Sequence, residues 1–255
     1  MDNWLILVLS GVFSGLLAGL LGIGGGTVLV PILITLKYSY AQSVATSSLA
    51  IVITSISGTF QNWRMGYISW RKVILLGIPG IVTAFMGGYI VGKTPKYILE
   101  GAFAILLMSN IYLTNLRQKL VSDGVSTRAK NPAAARIFTG GLAGLLAGVF
   151  GVGGGVIMVP LQMLLLAEPI KLAIQTSLAV IMITSISACA GHAREGNVLY
   201  LPGLILGLGG LVGAQISTRY LPKFSDKFVR VSFCSFLVLM AIYFLLRAWF
   251  SYEKL

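Results

Sequence analysis

Gly19-Leu-Leu-Gly-Ile-Gly-Gly-Gly-Thr-Val-Leu-Val-Pro31 decides the reading of this chain, because it returns as Gly148-Val-Phe-Gly-Val-Gly-Gly-Gly-Val-Ile-Met-Val-Pro160. Outward from it the correspondence continues. Thr46-Ser47 and Thr54-Ser55-Ile56-Ser57 are matched by Thr176-Ser177 and Thr184-Ser185-Ile186-Ser187. Arg64-Met65-Gly66 is echoed by Arg194-Glu195-Gly196, and Gly77, Gly80 and Ala84 by Gly207, Gly210 and Ala214. The offset stays between 129 and 130 residues. The pattern is that of a duplicated membrane unit with a glycine break inside the first apolar segment of each copy. Broken segments in paired halves point to a transport site near the bilayer midplane.

Composition supports the membrane reading. The chain is 56% hydrophobic and 10% charged, with a mean hydropathy of +0.90. A soluble domain carries about 25% charged residues. Met1-Asp2-Asn3 lacks a positive n-region, so the first apolar run is expected to be a membrane segment rather than a cleavable signal. The net charge of +12 does not mark a nucleic-acid binder, because the basic residues sit in short loops between apolar runs. There they set topology and meet anionic headgroups. Cys189 and Cys234 lie in apolar stretches without metal-ligand spacing and read as packing residues.

Eight apolar segments are expected, at about 4–36, 43–62, 73–91 and 97–115, then 137–166, 172–192, 199–217 and 228–249. The fold class is therefore an all-α polytopic membrane protein built from two homologous four-segment repeats. The repeats span residues 1–116 and 137–255, with a polar, basic linker at 117–136 that contains Arg117, Lys119, Arg128, Lys130 and Arg136. Trp4, Trp63, Trp70 and Trp249 fall at segment edges, where amphipathic rings meet the interface. The first segment of each half is well beyond the ~20 residues needed to cross a bilayer. If each turns back at its glycines, the Lys and Arg residues divide more unequally between the two sides than if each crosses once, which suits the positive-inside tendency. The halves are then inverted, with both termini outside the cytoplasm in a plasma-membrane protein. The glycine breaks must be buried or line a cavity, since lipid-exposed irregular backbone is not allowed.

Gly22-Ile-Gly-Gly-Gly-Thr-Val-Leu-Val-Pro31 with its second copy, Ala45-Thr46-Ser47-Ser48-Leu49, and His192-Ala193-Arg194-Glu195-Gly196 together resemble the sulfite exporter TauE/SafE family. The resemblance covers about residues 5–250. It implies a permease, expected to be an exporter, for small sulfur-containing anions such as sulfite or organosulfonates. It supports the transport class more strongly than any one substrate.

The residues themselves offer three groups of substrate contacts. Gly24, Gly25 and Gly26, followed by Thr27, and Gly153, Gly154 and Gly155 permit unusual dihedrals and a close approach to the backbone. A short helix starting after each would aim free N–H groups and a positive dipole end at an anion. Small residues also serve plain helix packing. Thr46, Ser47 and Ser48 align with Gln175, Thr176 and Ser177, a set of neutral donors suited to an oxyanion. Such hydroxyls equally bond back to their own helix, the role expected for Thr54, Ser55, Ser57, Thr184, Ser185 and Ser187. Arg64 and Arg194 are candidates for bidentate oxyanion recognition or for interface anchoring. His192, the only histidine, is a candidate for proton coupling.

The seven acids, Asp2, Glu100, Asp123, Glu168, Glu195, Asp226 and Glu253, read as lying in or beside loops, so a carboxylate-based antiport finds no support. No spacing implies a metal, nucleotide or other cofactor, and no hydrolase or protease motif argues for an enzyme. The expected partners are a small anionic substrate and the lipid bilayer. Glycine-rich faces serve internal packing as readily as dimer contacts, so no oligomeric state follows. The main expectation is a carrier that alternates access by moving one repeat against the other. Its rival is an anion-selective channel lined by the same dipoles.

Overall fold

The computed structural model describes residues 4–91, 93–122 and 129–252. Asp2, Asp123, Arg128 and Glu253 lie outside the described residues. Among the described residues ten α-helices follow one another: α1 Trp4–Leu21, α2 Gly26–Thr35, α3 Tyr40–Arg64, α4 Trp70–Val91, α5 Lys96–Ser122, α6 Pro132–Phe150, α7 Gly155–Leu165, α8 Ile170–Arg194, α9 Tyr200–Tyr220 and α10 Asp226–Tyr252. Eight are long and apolar enough to cross a membrane, while α2 and α7 are short apolar helices. No strand occurs among the described residues. The expected all-helical membrane class is what is found. Helices α5 and α6 extend to Ser122 and back to Pro132, into the stretch read from the sequence as linker.

Each long first segment is a full helix, a break and a half-length helix. Gly22, Gly24 and Gly25 have φ of 69°, 76° and 84°, and Gly151, Gly153 and Gly154 have φ of 64°, 79° and 77°. That left-handed region is open to glycine and strained for other residues. The turn reverses the chain. Ser14, two turns before the end of α1, donates its hydroxyl to the Gly25 carbonyl at 3.0 Å. Leu29 and Leu33 of α2 then share an apolar cluster with Leu7 of α1. So α2 runs back toward the face on which α1 starts. In the second half Leu161 clusters with Val73 and Leu76, and the Leu165 carbonyl accepts from the Ala129 amide at 2.8 Å, so α7 returns to the face where α6 starts.

With α1 spanning about 27 Å at 1.5 Å per residue, the path of the chain can be followed from face to face. Helix α1 starts on one face and α6 on the other, so α1–α5 and α6–α10 thread in opposite directions. We call the first the termini face and the second the linker face. On the termini face Arg247 of α10 donates Nε to Glu100 at 2.9 Å, and Ser251 donates to the same carboxylate at 2.8 Å. Glu100, one turn into α5, is 1% exposed. The linker face carries Lys72 and Arg136 against Glu168, at 2.8 and 3.5 Å.

The two halves are interwoven rather than set side by side. Helix α1 lies along α9, α6 along α4, α3 along α9 and α8, α8 along α4, and α5 along α10, so the principal contacts all join one half to the other. Small residues allow this. A methyl group at Gly11 or Gly15 would run into the backbone of Leu206 or Gly210, and one at Gly140, Gly144 or Gly148 into that of Leu76, Gly80 or Ala84. These four-residue steps of glycine bring α1 onto α9, and α6 onto α4, at backbone contact. The largest apolar cluster joins both breaks, through Leu21, Ile23, Phe150 and Val152, to Phe103 of α5 and Phe233 and Phe244 of α10.

A pair of alanine replacements tests the close crossing. Gly140→Ala should destabilise the protein by about 1–3 kcal/mol through overpacking, because its Cβ would lie within 2.8 Å of Leu76 Cα. Gly141→Ala, whose nearest neighbour would be Pro79 Cβ at 3.8 Å, should be neutral or stabilising by up to about 1 kcal/mol from helix propensity. Thermal unfolding in detergent compares the two.

Candidate substrate site at the paired helix breaks

The two breaks meet at the middle of the molecule. Residues Leu21 through Pro31 and Ala147 through Met163 are buried without interruption. Gly24 and Gly153 face one another, with the Cβ position of Gly153 3.5 Å from Gly24 Cα. A side chain at Gly26 would strike the Gly151 carbonyl, and one at Gly155 the Gly22 carbonyl. Ile51 of α3 and Ile181 of α8 cover the junction, their Cγ2 atoms within 3.4 Å of where Gly24 and Gly153 would carry a methyl.

Serines from the opposite half hold each break. Ser47 of α3 donates to the Gly151 carbonyl at 2.8 Å, and Ser177 of α8 donates to the Gly22 carbonyl at 2.9 Å. Each also lies within hydrogen-bonding distance of its own helix, at the carbonyls of Val44 and Ile174. These carbonyls follow the last turns of α1 and α6 and have no helix to bond within, so a serine from outside is what satisfies them. Immediately beyond, α2 and α7 begin at left-handed Gly25 and Gly154 with no side-chain cap. Their first N–H groups lack an intrahelical acceptor and carry the positive end of each helix dipole.

The remaining hydroxyls divide by what they touch. Thr46 Oγ1 accepts from the Leu199 amide at 3.2 Å, tying α3 to the start of α9. Ser48 bonds back to Val44 at 3.0 Å within α3. Thr27 and Thr176 are 0% and 1% exposed, and their hydroxyls have no partner. Gln175 is buried at 4% exposure. Thr54, Ser55, Thr184 and Ser185 bond to carbonyls of their own helices, while Ser57 and Ser187 reach carbonyls of α9 and α4.

The charged candidates are not at the junction. Arg64 ends α3 on the linker face, exposed, with its guanidinium 5.9 Å from the Phe60 ring centroid. Arg194 ends α8 on the termini face, exposed, at a cavity of about 510 Å³ lined by Phe85, Met86 and Tyr89. Inverted threading carries the two matched arginines to opposite faces. His192 is 0% exposed, and its Nε2 donates to the Gly148 carbonyl at 2.9 Å, which leaves Nδ1 without a partner. It ties α8 to the last turn of α6. Sequence reasoning missed Ser14, Ile51 and Ile181. The signal for Ile51 and Ile181 was present, since the two are 130 residues apart in otherwise serine- and threonine-rich helices. Among the described residues no cluster of metal-ligating side chains occurs.

The chain is thus all-helical and multi-pass, with interwoven halves and a buried pair of uncapped helix starts. Comparison with known proteins gives the family. Residues 7–244 match the family described as Sulfite exporter TauE/SafE. The chain is 29% identical, over 94% of its own length and 95% of the relative's, to a "Probable membrane transporter protein" of Methanocaldococcus jannaschii. It is 28% identical to one of Bacillus subtilis, over 87% of this chain and 91% of the relative. A Haemophilus influenzae relative of the same description is 32% identical over 61% of each chain. The chain belongs to the TauE/SafE sulfite exporter family.

Ser47→Ala and Ser177→Ala should each leave one break carbonyl unpaired and lower stability by about 1–3 kcal/mol. The effects should be alike, because the two serines make the same contact from opposite halves. Thermal unfolding of both variants in detergent measures this.

Proposed function

We propose that the protein is a plasma-membrane carrier that exports small sulfur-containing oxyanions, such as sulfite or organosulfonates, from a site at the paired glycine breaks. The observation that carries this reading is the meeting of two uncapped helix starts, α2 and α7, at one buried point. Both present N–H groups and a positive dipole end. Thr27, Thr176 and Gln175 supply further neutral donors. Neutral donors bind a sulfonate or sulfite without the desolvation cost of a buried arginine.

Binding requires the two breaks to part, since in the described conformation each fills the space against the other. Interwoven halves of opposite direction suit alternate opening to the two faces. Basic residues such as Arg71, Lys72, Arg117, Lys119 and Arg136 lie toward the linker face, so that face is assigned to the cytoplasm by the positive-inside tendency. An anion leaving a cell that is negative inside gains about 2.3 kcal/mol per charge per 100 mV. That corresponds to a roughly fiftyfold concentration ratio, so export runs without a coupling ion.

In proteoliposomes with clamped potential and equal pH on both sides, sulfite flux should saturate, follow voltage and show trans-stimulated exchange. Non-saturating flux without exchange would favour a channel. Gly25→Leu and Gly154→Leu, each placed where φ is near +80°, should abolish flux from inserted protein. Replacing Gln175 or Thr176 by an apolar residue should change apparent affinity or substrate preference.

A further inference from the structure

The two halves match in helix order but not in the polarity of one seam. On the termini face, the ends of α8 and α4 close tightly. Gly88 sits against the backbone of Gly191 and His192, with its Cβ position 3.2 Å from both the Gly191 carbonyl carbon and the His192 nitrogen. His192 completes the seal through Gly148. The corresponding seam on the linker face, between the ends of α3 and α9, carries different residues at every one of these places. Asn62 stands for His192, Gln61 for Gly191, Gln215 for Phe85, and Thr218 for Gly88.

Part of this polar seam is glue. Ser57 donates to the Leu211 carbonyl at 2.9 Å and lies 3.0 Å from Gln215 Oε1, and Gln215 Nε2 donates to Gln61 Oε1 at 2.9 Å. The rest is not. Asn62 is 0% exposed with neither its Oδ1 nor its Nδ2 partnered. Thr218 and Thr59, 0% and 4% exposed, also have unpartnered hydroxyls. Thr218 Oγ1 lies 3.2 Å from the Cβ position of Gly58, one turn before Asn62 on α3, and 2.6 Å from that of Gly19, one turn before the first break. A buried polar group without a partner is destabilising. Asn62 and Thr218 together at this end, opposite a seam where the same positions are a bonded histidine and a glycine, mark a place built to hold a polar occupant.

We propose that Asn62 and Thr218 form a second oxyanion subsite at the linker-face end of α3 and α9, on the substrate's route between the paired breaks and the water on that face. This rests on the transport reading above. Asn62 supplies two amide donors and Thr218 one hydroxyl, all neutral. The route is thereby one-sided: the polar subsite serves the linker face, and the His192–Gly148 seal stands on the termini face.

Two arms test it. In reconstituted protein, Asn62→Leu and Thr218→Val should raise the apparent KM for sulfite presented at the linker face at least tenfold, and that at the termini face much less. Both should unfold at the same or a higher temperature than wild type, because an unpaired buried group is removed. Asn62→His, which installs the residue of the opposite seam, guards against a leucine-specific packing effect and should also raise the linker-face KM. Unchanged KM values at both faces would overturn the subsite and leave an ordered water as its occupant. In the second arm, Thr218→Cys in a Cys189→Ala, Cys234→Ala background should react with an anionic methanethiosulfonate from the linker face faster than with a cationic one. Added sulfite should slow that reaction. An unreactive thiol, or a preference for the cationic reagent, would overturn the proposal whatever the substrate. If wild type moves no sulfur oxyanion, the substrate assignment fails, and the charge preference of the labelling alone decides whether an anion subsite stands.

Discussion

Two carbonyl groups organise this molecule. Those of Gly22 and Gly151 end the helices that precede the breaks, at a depth where no bulk water can satisfy them. Each takes its hydrogen bond from a serine of the opposite half, Ser177 and Ser47. In an apolar medium an unpaired backbone group costs several kcal/mol, so irregular chain can sit there only if the other half supplies a donor. Each half therefore needs the other in order to fold its own break. This explains why the halves interweave, α1 on α9 and α4 on α6, instead of packing as separate bundles.

The same constraint shapes the candidate site. A break satisfied on its carbonyl side still presents the first N–H groups of the following short helix, and both short helices start where the breaks touch. Mutual packing of Gly26 on Gly151 and of Gly155 on Gly22 leaves no room for a ligand in the described conformation. Glycine at these positions serves two ends at once: it permits the positive φ of the turn and allows the close approach of one backbone to the other. Movement of one half against the other separates the same surfaces, so the contact that stabilises the closed form is also the one that substrate has to replace.

Much of the architecture was legible in the sequence because it rests on composition and period. Eight apolar stretches, tryptophans at their edges and glycine runs inside two overlong segments are local signals, and the structure has eight helices fit to span and two short ones after breaks. Charge distribution pointed to chains that turn back at the glycines, and the contacts of Leu29 and Leu33 with Leu7 describe such a turn. The site was legible only in part. Ser47 and Ser177 were singled out as oxyanion donors, yet their hydroxyls are engaged by break carbonyls. Arg64 and Arg194 matched in sequence but lie on opposite faces, since inverted halves send equivalent residues to opposite ends. Nothing local to Glu100 showed that it would be buried against Arg247 and Ser251 of α10.

The sequence by itself determined that this is a helical membrane protein, where its chain breaks, and which helix faces are small enough for backbone contact. These follow from side-chain size, hydropathy and the dihedral freedom of glycine, all properties of residues taken singly or in short runs. Only the tertiary structure decided which partner satisfies each broken backbone, which hydroxyls remain without one, and which of two equivalent seams closes. Those outcomes depend on groups more than a hundred residues apart meeting in a medium that offers no water as a substitute, and neither spacing nor composition encodes that meeting.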